Sequence, residues 1–335
     1  MKIGNRDTKK RVFIIAEIGN NHEGNIENAL SLVDAAADSG ADAIKFQMIN
    51  PEELVSFDQN TRMEQLRKFS LTKNEFRIIN ERAKEKQVLF MATPFYVKAV
   101  SFLNDFVPAF KIASSDIDFF PLIKSIAKTG KPIIISCGIA SKKDMKNIIQ
   151  LIEDVWKNNG KSSEYAFLNC ISKYPTMPQE AKLNRLKKIK KLSNTVGYSD
   201  HTIGIEACLA SVTLGAEIIE KHFTLDNNFS SFQDHKLSAN PVDFKKMVER
   251  IRNLEILLSG KSSFGVSQKI SSQIRRVAAT SKDLKSGQKI IADHLMWVRP
   301  GKNNGISISA ENTLKGKVLR KDYKKGEILL SQDLK

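Results

Sequence analysis

Short apolar runs, each followed by a segment with helical periodicity, recur along the chain from residue 12 to about residue 258. Each run has the length of a buried strand, and strands that alternate with helices are typical of βα units. In the first helical segment Ile26, Leu30, Val33 and Ala37 share one face, and Gly40 follows as a stop signal. The pattern predicts eight strands: Val12–Ala16, Ala43–Gln47, Val88–Ala92, Ala109–Ala113, Pro132–Ser136, Tyr165–Asn169, Thr195–Ser199 and Glu217–Lys221.

Eight βα units predict a closed (β/α)8 barrel, the TIM-barrel arrangement of α/β proteins, whose usual length of about 250 residues fits this stretch. The rival architecture is a doubly wound open sheet. No GxGxxG fingerprint follows the first predicted strand, which disfavours that alternative. We therefore predict a TIM-barrel domain over residues 1–260.

The sequence changes character after this domain. Residues 260–273, GKSSFGVSQKISSQ, are rich in Ser, Lys and Gly and lack apolar periodicity, so we predict a linker over 261–277. A small β domain is predicted over 278–335, where an approximate internal repeat indicates two pseudo-symmetric halves. The first copy contains Lys282, Asp283, Lys285, Gly287 and Leu295, and the second contains, at identical spacing, Lys321, Asp322, Lys324, Gly326 and Leu334.

The composition is that of a soluble globular protein. Of the 335 residues, 41% are hydrophobic and 27% are charged, and no run of about 18 apolar residues occurs. The first apolar run is too short for a signal peptide, because Glu17 interrupts it. Cys137, Cys170 and Cys208 are odd in number and lack metal-cluster spacing, which predicts free thiols in a reducing compartment. We expect a cytoplasmic protein without a membrane partner.

The formal net charge of +16 raises the question of nucleic acid. In the densest basic cluster, Arg185 to Lys191, the residues Leu183, Leu186, Ile189 and Leu192 recur at helical spacing. The lysines there are therefore interpreted as the solvated face of an amphipathic helix. No nucleic-acid partner is expected, and the charge is better suited to steering small anions into a cleft.

Polar residues stand at the end of every predicted strand, where TIM-barrel enzymes place their catalytic groups. Any one of them is explained by a capping or structural role. Their coincidence at eight consecutive strand ends predicts an active site. They are Glu17, Asn20, Asn21, His22, Lys45, Gln47, Thr93, Lys111, Ser114, Asp116, Ser136, Asn169, Ser172, Tyr174, Ser199, Asp200, His201 and His222.

Two lysines in this set, Lys45 and Lys111, predict a pocket for a phosphate and a carboxylate. Lysine supplies the charge and hydroxyl groups supply directional donors. The alternative is that each lysine extends to solvent, but both lie inside apolar strand patterns, AIKFQ and FKIAS. The hydroxyl groups are those of Thr93, Ser114, Ser136 and Ser199.

The last two predicted strands, which are neighbours in a closed barrel, are followed by His201 and His222. Two imidazoles there suit a divalent ion such as Mn or Zn, acting as a Lewis acid on a carbonyl. Asp234 or His235, in the loop after the last strand, could be a third anchor. The alternative is two structural histidines, since HExxH spacing is absent.

Several ordered motifs carry a resemblance to the sialic acid synthase family, which includes legionaminic and pseudaminic acid synthases. They are AEIGNNHEG at 16–24, SGADAIKFQ at 39–47, TPF at 93–95, FKIASSD at 110–116, GYSDHT at 197–202, EKHFTLD at 220–226 and DHK at 234–236. The C-terminal segment, with VRPG at 298–301 and GISI at 305–308, resembles the antifreeze-like (SAF) domain.

The resemblance implies a (β/α)8 barrel, a bound divalent metal ion (Mn first, with Mg or Co as alternatives) and a domain-swapped homodimer. It implies metal ligation by His201 and His222, and a catalytic base at Glu17 or Asp116. Phosphoenolpyruvate contacts are implied at Lys45, Thr93, Lys111, Ser114, Ser136, Ser172 and Ser199. Contacts to the sugar side are implied at Gln47, Tyr174, Asp234 and, from the other subunit, Arg299.

The chain departs from the family pattern near the substrate. It has SFQDHK at 231–236 where many relatives have GPDHK, Ser136-Cys137-Gly138 where many have Ser-Thr-Gly, Asp116 where a Glu is common, and Ser172 where some have Asn or Thr.

We rank three possible functions from the most to the least favoured. The first is synthesis of N-acetylneuraminate from phosphoenolpyruvate and N-acetylmannosamine. The second is the same reaction on a 2,4-diacetamido-trideoxyhexose, which gives legionaminic or pseudaminic acid. The third is a non-catalytic sugar-binding barrel, which the retained lysines and histidines disfavour. We expect the loop from Ile49 to Leu71 to shape the sugar pocket.

Overall fold

The computed structural model describes residues 1–260, 268–301 and 305–335 and has two compact units, Met1–Gly260 and Lys261–Lys335. The strands of the first unit are β1 (Lys2–Ile3), β2 (Arg6–Asp7), β3 (Phe13–Gly19), β4 (Ala43–Met48), β5 (Leu89–Pro94), β6 (Phe110–Ile112), β7 (Ile133–Ser136), β8 (Tyr165–Asn169), β9 (Thr195–Asp200) and β10 (Ile218–His222). Its helices are α1 (Ile26–Asp38), α2 (Pro51–Leu54), α3 (Asn60–Phe69), α4 (Lys73–Glu85), α5 (Val97–Leu103), α6 (Phe120–Thr129), α7 (Lys142–Asn158), α8 (Arg185–Ile189), α9 (Glu206–Thr213), α10 (Gln233–Leu237) and α11 (Pro241–Leu258).

Strands β3 to β10 form one parallel sheet in the order β5-β4-β3-β10-β9-β8-β7-β6. The two end strands, β5 and β6, lie side by side, so the sheet is a nearly closed barrel. The predicted fold class is confirmed, and each of the eight strands starts within one residue of its predicted position. Every crossover contains helical segments that cover the outer face of the sheet, as parallel sheets require.

Side chains inside the barrel change from apolar to polar along the strands. Because a strand alternates its side chains with a period of two, a residue two positions further on faces the same way. The apolar layer contains Ile15, Ala43, Met91, Ala109, Ile134, Leu168 and Ile218. Two residues later the same strands present Glu17, Lys45, Thr93, Lys111, Ser136, Cys170 and Glu220 to one cavity. The alternation therefore builds an apolar floor beneath a polar chamber.

A small hairpin packs onto this apolar floor. Strands β1 and β2 pair antiparallel, and the side chains of Met1 and Ile3 are buried in the same cluster as Phe13 and Ile15. At about 25 cal/mol per Å² of apolar surface removed from water, such burial stabilises the floor of the barrel. The hairpin was not predicted, because its strands are too short to show a periodic pattern in the sequence.

The helices are amphipathic and end where their sequences indicate. In α1, Val33 is buried and Ile26, Leu30 and Ala37 pack partly buried against the outer core, which confirms the predicted face. Asn25 caps this helix by accepting a hydrogen bond from the amide of residue 28.

The cysteines and the basic cluster have the structures that the composition predicts. The three cysteines are buried free thiols, as predicted. In α8, Leu186 and Ile189 are buried while Lys187 and Lys188 are exposed, which confirms the amphipathic interpretation of the basic cluster. None of the helices in the described part of the chain is long and apolar enough to cross a membrane.

The second unit contains α12 (Gln268–Ile274), β11 (Val277–Thr280), β12 (Leu295–Val298) and α13 (Glu311–Leu314). The first part of the predicted linker, 261–267, lies outside the described residues. The rest of it contains α12 and the first residue of β11, so regular structure replaces the expected irregular connection. Strand β11 begins at Val277 because this residue pairs with Val298 of β12 in an antiparallel ladder.

Reciprocal contacts relate the two repeats of this unit. The backbones of Leu284 and Tyr323 exchange two hydrogen bonds of 2.9 Å. Lys285 Nζ lies 2.7 Å from an Asp322 oxygen, and Lys324 Nζ lies 3.0 Å from an Asp283 oxygen. Each repeat therefore makes the same backbone and lysine–aspartate contacts to the other. This reciprocity agrees with the pseudo-symmetry predicted from the sequence. The shared core contains Ala278, Leu284, Ile290, Leu314, Leu319, Tyr323 and Leu329.

Candidate active site

A polar cavity of about 300 Å³ opens at the C-terminal ends of the barrel strands. We call it the catalytic cavity. Of the residues to which the resemblance assigns a role, the structure brings together there all except Asp116 and Arg299. Those that line it are Glu17, Lys45, Gln47, Thr93, Lys111, Ser114, Ser136, Ser172, Tyr174, Ser199, His201, His222 and Asp234. Of the other strand-end residues, Asn20 lines the cavity, whereas Asn21, His22, Asn169 and Asp200 do not.

Four buried charges meet at the base of the cavity. Lys45 Nζ lies 2.6 Å from a Glu17 oxygen and 3.6 Å from a Glu220 oxygen. Lys111 Nζ lies 3.6 Å from the other oxygen of Glu220, which also accepts a hydrogen bond of 2.8 Å from the Ser199 hydroxyl. Two ammonium groups and two carboxylates thus balance each other where bulk water is excluded, which is how buried charges are tolerated.

Burial and pairing set the protonation of these groups. Burial lowers the pKa of Lys45, but Glu17 and Glu220 outweigh it, so the net shift is upward. Burial dominates at Lys111 and lowers its pKa, and burial likewise raises the pKa of Glu17. For Glu220 burial acts upward, but Lys111 and Lys45 overcome it and bring the pKa to about 2. Glu220 is therefore a permanent anion between the lysines.

Hydroxyl groups flank the two ammonium groups. Lys45 Nζ donates to Thr93 Oγ1 at 3.0 Å, and Lys111 Nζ donates to Ser136 Oγ at 2.7 Å. The Ser114 hydroxyl accepts a hydrogen bond from Ser172 at 3.1 Å. These groups form a wall of positive charge and hydrogen-bond donors that suits an anion with several oxygens.

The two histidines lie side by side, with ring centroids 5.4 Å apart. His201 Nδ1 is 2.6 Å from the carbonyl oxygen of Ile171, so Nδ1 carries the proton and Nε2 keeps its lone pair. His222 Nδ1 is buried without a hydrogen-bond partner among the described residues and lies 4.0 Å from an Asp234 oxygen. Burial lowers the pKa of both imidazoles, which keeps them in the neutral form that binds metals.

An ion pair on the outer side of the barrel wall fixes the strands that carry these histidines. Lys221 Nζ and an Asp200 oxygen are 2.9 Å apart, and both side chains are fully buried. Asp200 also accepts hydrogen bonds from the amide and hydroxyl of Thr202, at 2.9 and 2.8 Å, and from Cys208 Sγ at 3.2 Å. All lone pairs of the Asp200 carboxylate therefore accept hydrogen bonds. This network fixes the position of β9 relative to β10.

Of the two proposed third anchors, only Asp234 faces the histidine pair. His235 is buried outside the catalytic cavity, with Nδ1 2.7 Å from Thr224 Oγ1 and Nε2 3.4 Å from Glu23. Its suggestion as a metal ligand is therefore wrong, because α10 turns it away from Asp234. Across the described ranges, no group of three or more His, Cys, Asp and Glu side chains is arranged to hold a metal ion.

Asp116 and Arg299, to which the resemblance assigns roles, do not line the catalytic cavity. Asp116 ends a short 3-10 helix, Ser114–Asp116, and does not line the catalytic cavity. Burial and then Asp118 raise its pKa to about 6. Arg299 belongs to the second unit, where its side chain is exposed.

Several lining residues were not predicted from the sequence. Glu220 had an available signal, because it precedes His222 by two residues in a strand and therefore faces the same side. Arg62, Phe232 and Gln233 also line the cavity but lie in segments without strand periodicity. Only the folded chain brings them to the barrel mouth.

Comparison with known proteins identifies the family. Residues 32–263 match the model described as the NeuB family, and residues 275–335 match that of the SAF domain. The chain belongs to the NeuB family. The resemblance seen in the sequence motifs is thus confirmed, and with it the expectation of an enzyme of the sialic acid synthase type.

Relatives of this NeuB family member carry the names of different products. It is 34% identical to the N,N'-diacetyllegionaminic acid synthase of Campylobacter jejuni, over 96% of this chain and 99% of that protein. It is 35% identical to a pseudaminic acid synthase of that species, over 99% of each. The solved N-acetylneuraminic acid (sialic acid) synthetase of Leptospira borgpetersenii shares 35% identity and a TM-score of 0.73, over 81% of this chain and 93% of that one. Overall similarity therefore does not select the sugar.

Proposed function

We propose that this synthase joins phosphoenolpyruvate to the open-chain form of an N-acetylated amino sugar, releasing phosphate and a nonulosonic acid. The observation that carries the proposal is one cavity that holds two buried lysines and two neutral histidines. N-acetylmannosamine, which gives N-acetylneuraminate, is one of two candidate sugars.

Phosphoenolpyruvate fits the lysine side of the cavity. Its phosphate and carboxylate need cations and donors, and two lysine–hydroxyl pairs, Lys45 with Thr93 and Lys111 with Ser136, supply both. Electrostatic attraction is strongest where water is excluded, and both lysines are almost fully buried. The remaining proposed contacts are Ser114, Ser172 and Ser199, which line the same cavity.

The histidine side fits a divalent cation, Mn²⁺ first, with Mg²⁺ or Co²⁺ as alternatives. His201 Nε2 has a free lone pair, and His222 has a buried nitrogen without a partner among the described residues, which are the features of imidazole ligands. Such an ion supplies Lewis acidity toward an aldehyde oxygen. His201 and His222 would hold this ion beside the cavity that receives the substrates.

The reaction balances with the groups present. C3 of phosphoenolpyruvate bonds to the sugar aldehyde carbon, and the positive charge left at C2 is captured by water. The resulting hemiketal phosphate breaks its C–O bond and releases phosphate. Glu17 is the proposed base for the water, because it lines the cavity and accepts a hydrogen bond of 3.0 Å from Gln47, whereas Asp116 lies outside.

The cavity mouth supports a dimeric enzyme. Apolar side chains are exposed in the loops after three of the strands that carry the cavity, β7, β8 and β9: Ile139, Met177 and Ile203 are 61%, 46% and 67% accessible. Exposed apolar groups around a polar site indicate a covering surface. We propose that a second copy of the chain covers the mouth in a domain-swapped homodimer and contributes Arg299.

A second candidate sugar is a 2,4-diacetamido-trideoxyhexose, which would give a legionaminic or pseudaminic acid. A further cavity beside the catalytic one favours this candidate. A non-catalytic sugar-binding barrel is the remote alternative.

The test is phosphate release from phosphoenolpyruvate with Mn²⁺ and each candidate sugar, with His222→Ala as the matched control. We expect release that requires both sugar and metal and falls by at least about 10²-fold in the variant. Circular dichroism would check that the variant folds. Release without any sugar, or none with every sugar, would reject the proposed reaction.

A further inference from the structure

A second cavity, of about 610 Å³, adjoins the catalytic cavity. We call it the distal cavity. The two share Arg62, Phe232 and Gln233 as lining residues, so they adjoin at these three side chains. The distal cavity lies under α3, within the loop from Ile49 to Leu71 that the sequence analysis expected to shape the sugar pocket.

The proposed reaction fixes which end of the sugar reaches this space. The aldehyde carbon must meet phosphoenolpyruvate beside His201 and His222, and the catalytic cavity must hold both reacting groups. The remaining carbons of an open-chain hexose have to extend away from the lysines. Because the two cavities adjoin at the shared residues, the distal cavity is the space toward which the C4 to C6 end would extend.

Arg62 lines both cavities, and its positive charge acts on Asp234, whose pKa it lowers against the larger upward effect of burial. Arg62 Nη1 donates to Gln65 Oε1 at 2.5 Å, and no carboxylate of the described residues lies within ion-pair distance of its guanidinium. On the same helix Arg67 differs, because it pairs with Glu52 at 3.1 Å and lines neither cavity. Arg62 therefore has donors left for a ligand.

The charges around the distal cavity disfavour an anionic ligand. Arg62 and Lys68 are matched by Glu23 and Glu64, which line the same space, so no net positive charge awaits a phosphate. Unlike the catalytic cavity, the distal cavity has no hydroxyl group hydrogen-bonded to a lysine among its described lining residues. A neutral hydrogen-bond acceptor suits the arginine better.

An aromatic pair beside Arg62 adds an apolar contact. The rings of Phe69 and Phe232 meet edge to face with centroids 5.1 Å apart, and both line the distal cavity. An acetamido group matches this arrangement, because its carbonyl oxygen accepts from a guanidinium while its methyl packs on a ring. A hydroxyl group would satisfy only the first requirement.

We propose that Arg62 is a specificity-determining residue that binds the carbonyl of an acetamido substituent on the far half of the sugar. The inference rests on the proposed function. It selects the 2,4-diacetamido class over N-acetylmannosamine and over its 6-phosphate.

The experiment compares steady-state kinetics of the full chain, Arg62→Ala and Arg67→Ala with three sugars: a 2,4-diacetamido-2,4,6-trideoxyhexose, N-acetylmannosamine and N-acetylmannosamine 6-phosphate. The unmodified chain should show its highest kcat/KM with the diacetamido sugar. Because a hydrogen bond from a charged donor is lost, Arg62→Ala should raise KM for that sugar at least about tenfold. KM for phosphoenolpyruvate should stay within about twofold, and Arg67→Ala should match the unmodified chain.

Two results would overturn the inference while leaving the proposed function intact. One is a preference for N-acetylmannosamine or its phosphate. The other is an Arg62→Ala variant whose KM rises equally for phosphoenolpyruvate and every sugar. If none of the three sugars supports phosphate release from phosphoenolpyruvate, the proposed reaction itself is rejected.

Discussion

Burial decides which ionisable side chains of this enzyme keep their charge. Lys45 and Glu220 remain charged because each faces partners of opposite sign, while His201 and His222 lose their charge because burial outweighs their neighbours. Asp116 is intermediate, since it is partly buried and its Oδ2 has no hydrogen-bond partner among the described residues. A buried carboxylate without a cation costs free energy once it ionises.

The free-energy cost of ionising the Asp116 carboxylate predicts that Asp116→Asn changes the free energy of unfolding in a pH-dependent way. Burial raises the folded-state pKa of Asp116 to about 6, above the usual 3.8, so the acid stabilises the fold below about pH 4 and this contribution is lost as pH rises through 6. Asparagine has no charge to bury. The variant should therefore be more stable by about 1 kcal/mol at pH 8, after allowance for partial exposure, with the gain vanishing near pH 4. Urea unfolding across this range tests it; an equal gain at every pH would contradict the explanation.

At the scale of elements, strands were predictable and loops were not. The apolar runs that became β4 and β8 are governed by local alternation, which a sequence displays directly. The lysines inside such runs were predictable as site residues for the same reason. Arg62 and Phe232 were not, since their places at the cavity depend on how distant segments pack. His235 shows the same limit, because neighbours in sequence point to different sides of α10.

The loop around Gly24 illustrates how a backbone position controls a distant element. Gly24 has φ +79°, and a Cβ atom there would lie 1.9 Å from the carbonyl oxygen of Lys68 in α3. Gly160 has φ +61° with open space around it, so it is a matched control. Gly160→Ala should cost about 1–2 kcal/mol from backbone strain alone. Gly24→Ala should cost a further 1–3 kcal/mol, because α3 must move.

Urea unfolding of both glycine variants measures the difference. If the two variants lose the same stability, contact between Gly24 and α3 does not constrain the helix. Because α3 carries Arg62, the Gly24 variant should also raise KM for the sugar.

At the scale of the whole molecule, the chain combines a barrel that holds the reacting groups with a second unit that carries Arg299. The proposed domain-swapped dimer makes each active site a product of two chains. Arg299 and His222 then belong to different sites when they lie on the same chain.

Mixing two inactive variants tests this arrangement. Arg299→Ala and His222→Ala chains, unfolded together and refolded, form mixed dimers in which one site contains both native residues. Random pairing makes half of all dimers mixed, so about a quarter of the unmodified activity should return. Each variant refolded alone should stay impaired. If Arg299 served its own barrel, the mixture would recover nothing beyond the sum of the separate variants.

The two-layered interior of the barrel also limits how this protein can change in length. Ile218 and Glu220 share one strand and one face, as do Ala43 and Lys45, so cohesion and chemistry depend on the same alternation. A single inserted or deleted residue within such a strand would turn every following side chain to the opposite face, removing floor and chamber together. Insertions and deletions are therefore tolerated only between strands. The wall of the distal cavity lies in such connections, so the range of sugars can diverge by changes of loop length while the barrel that performs the reaction stays fixed.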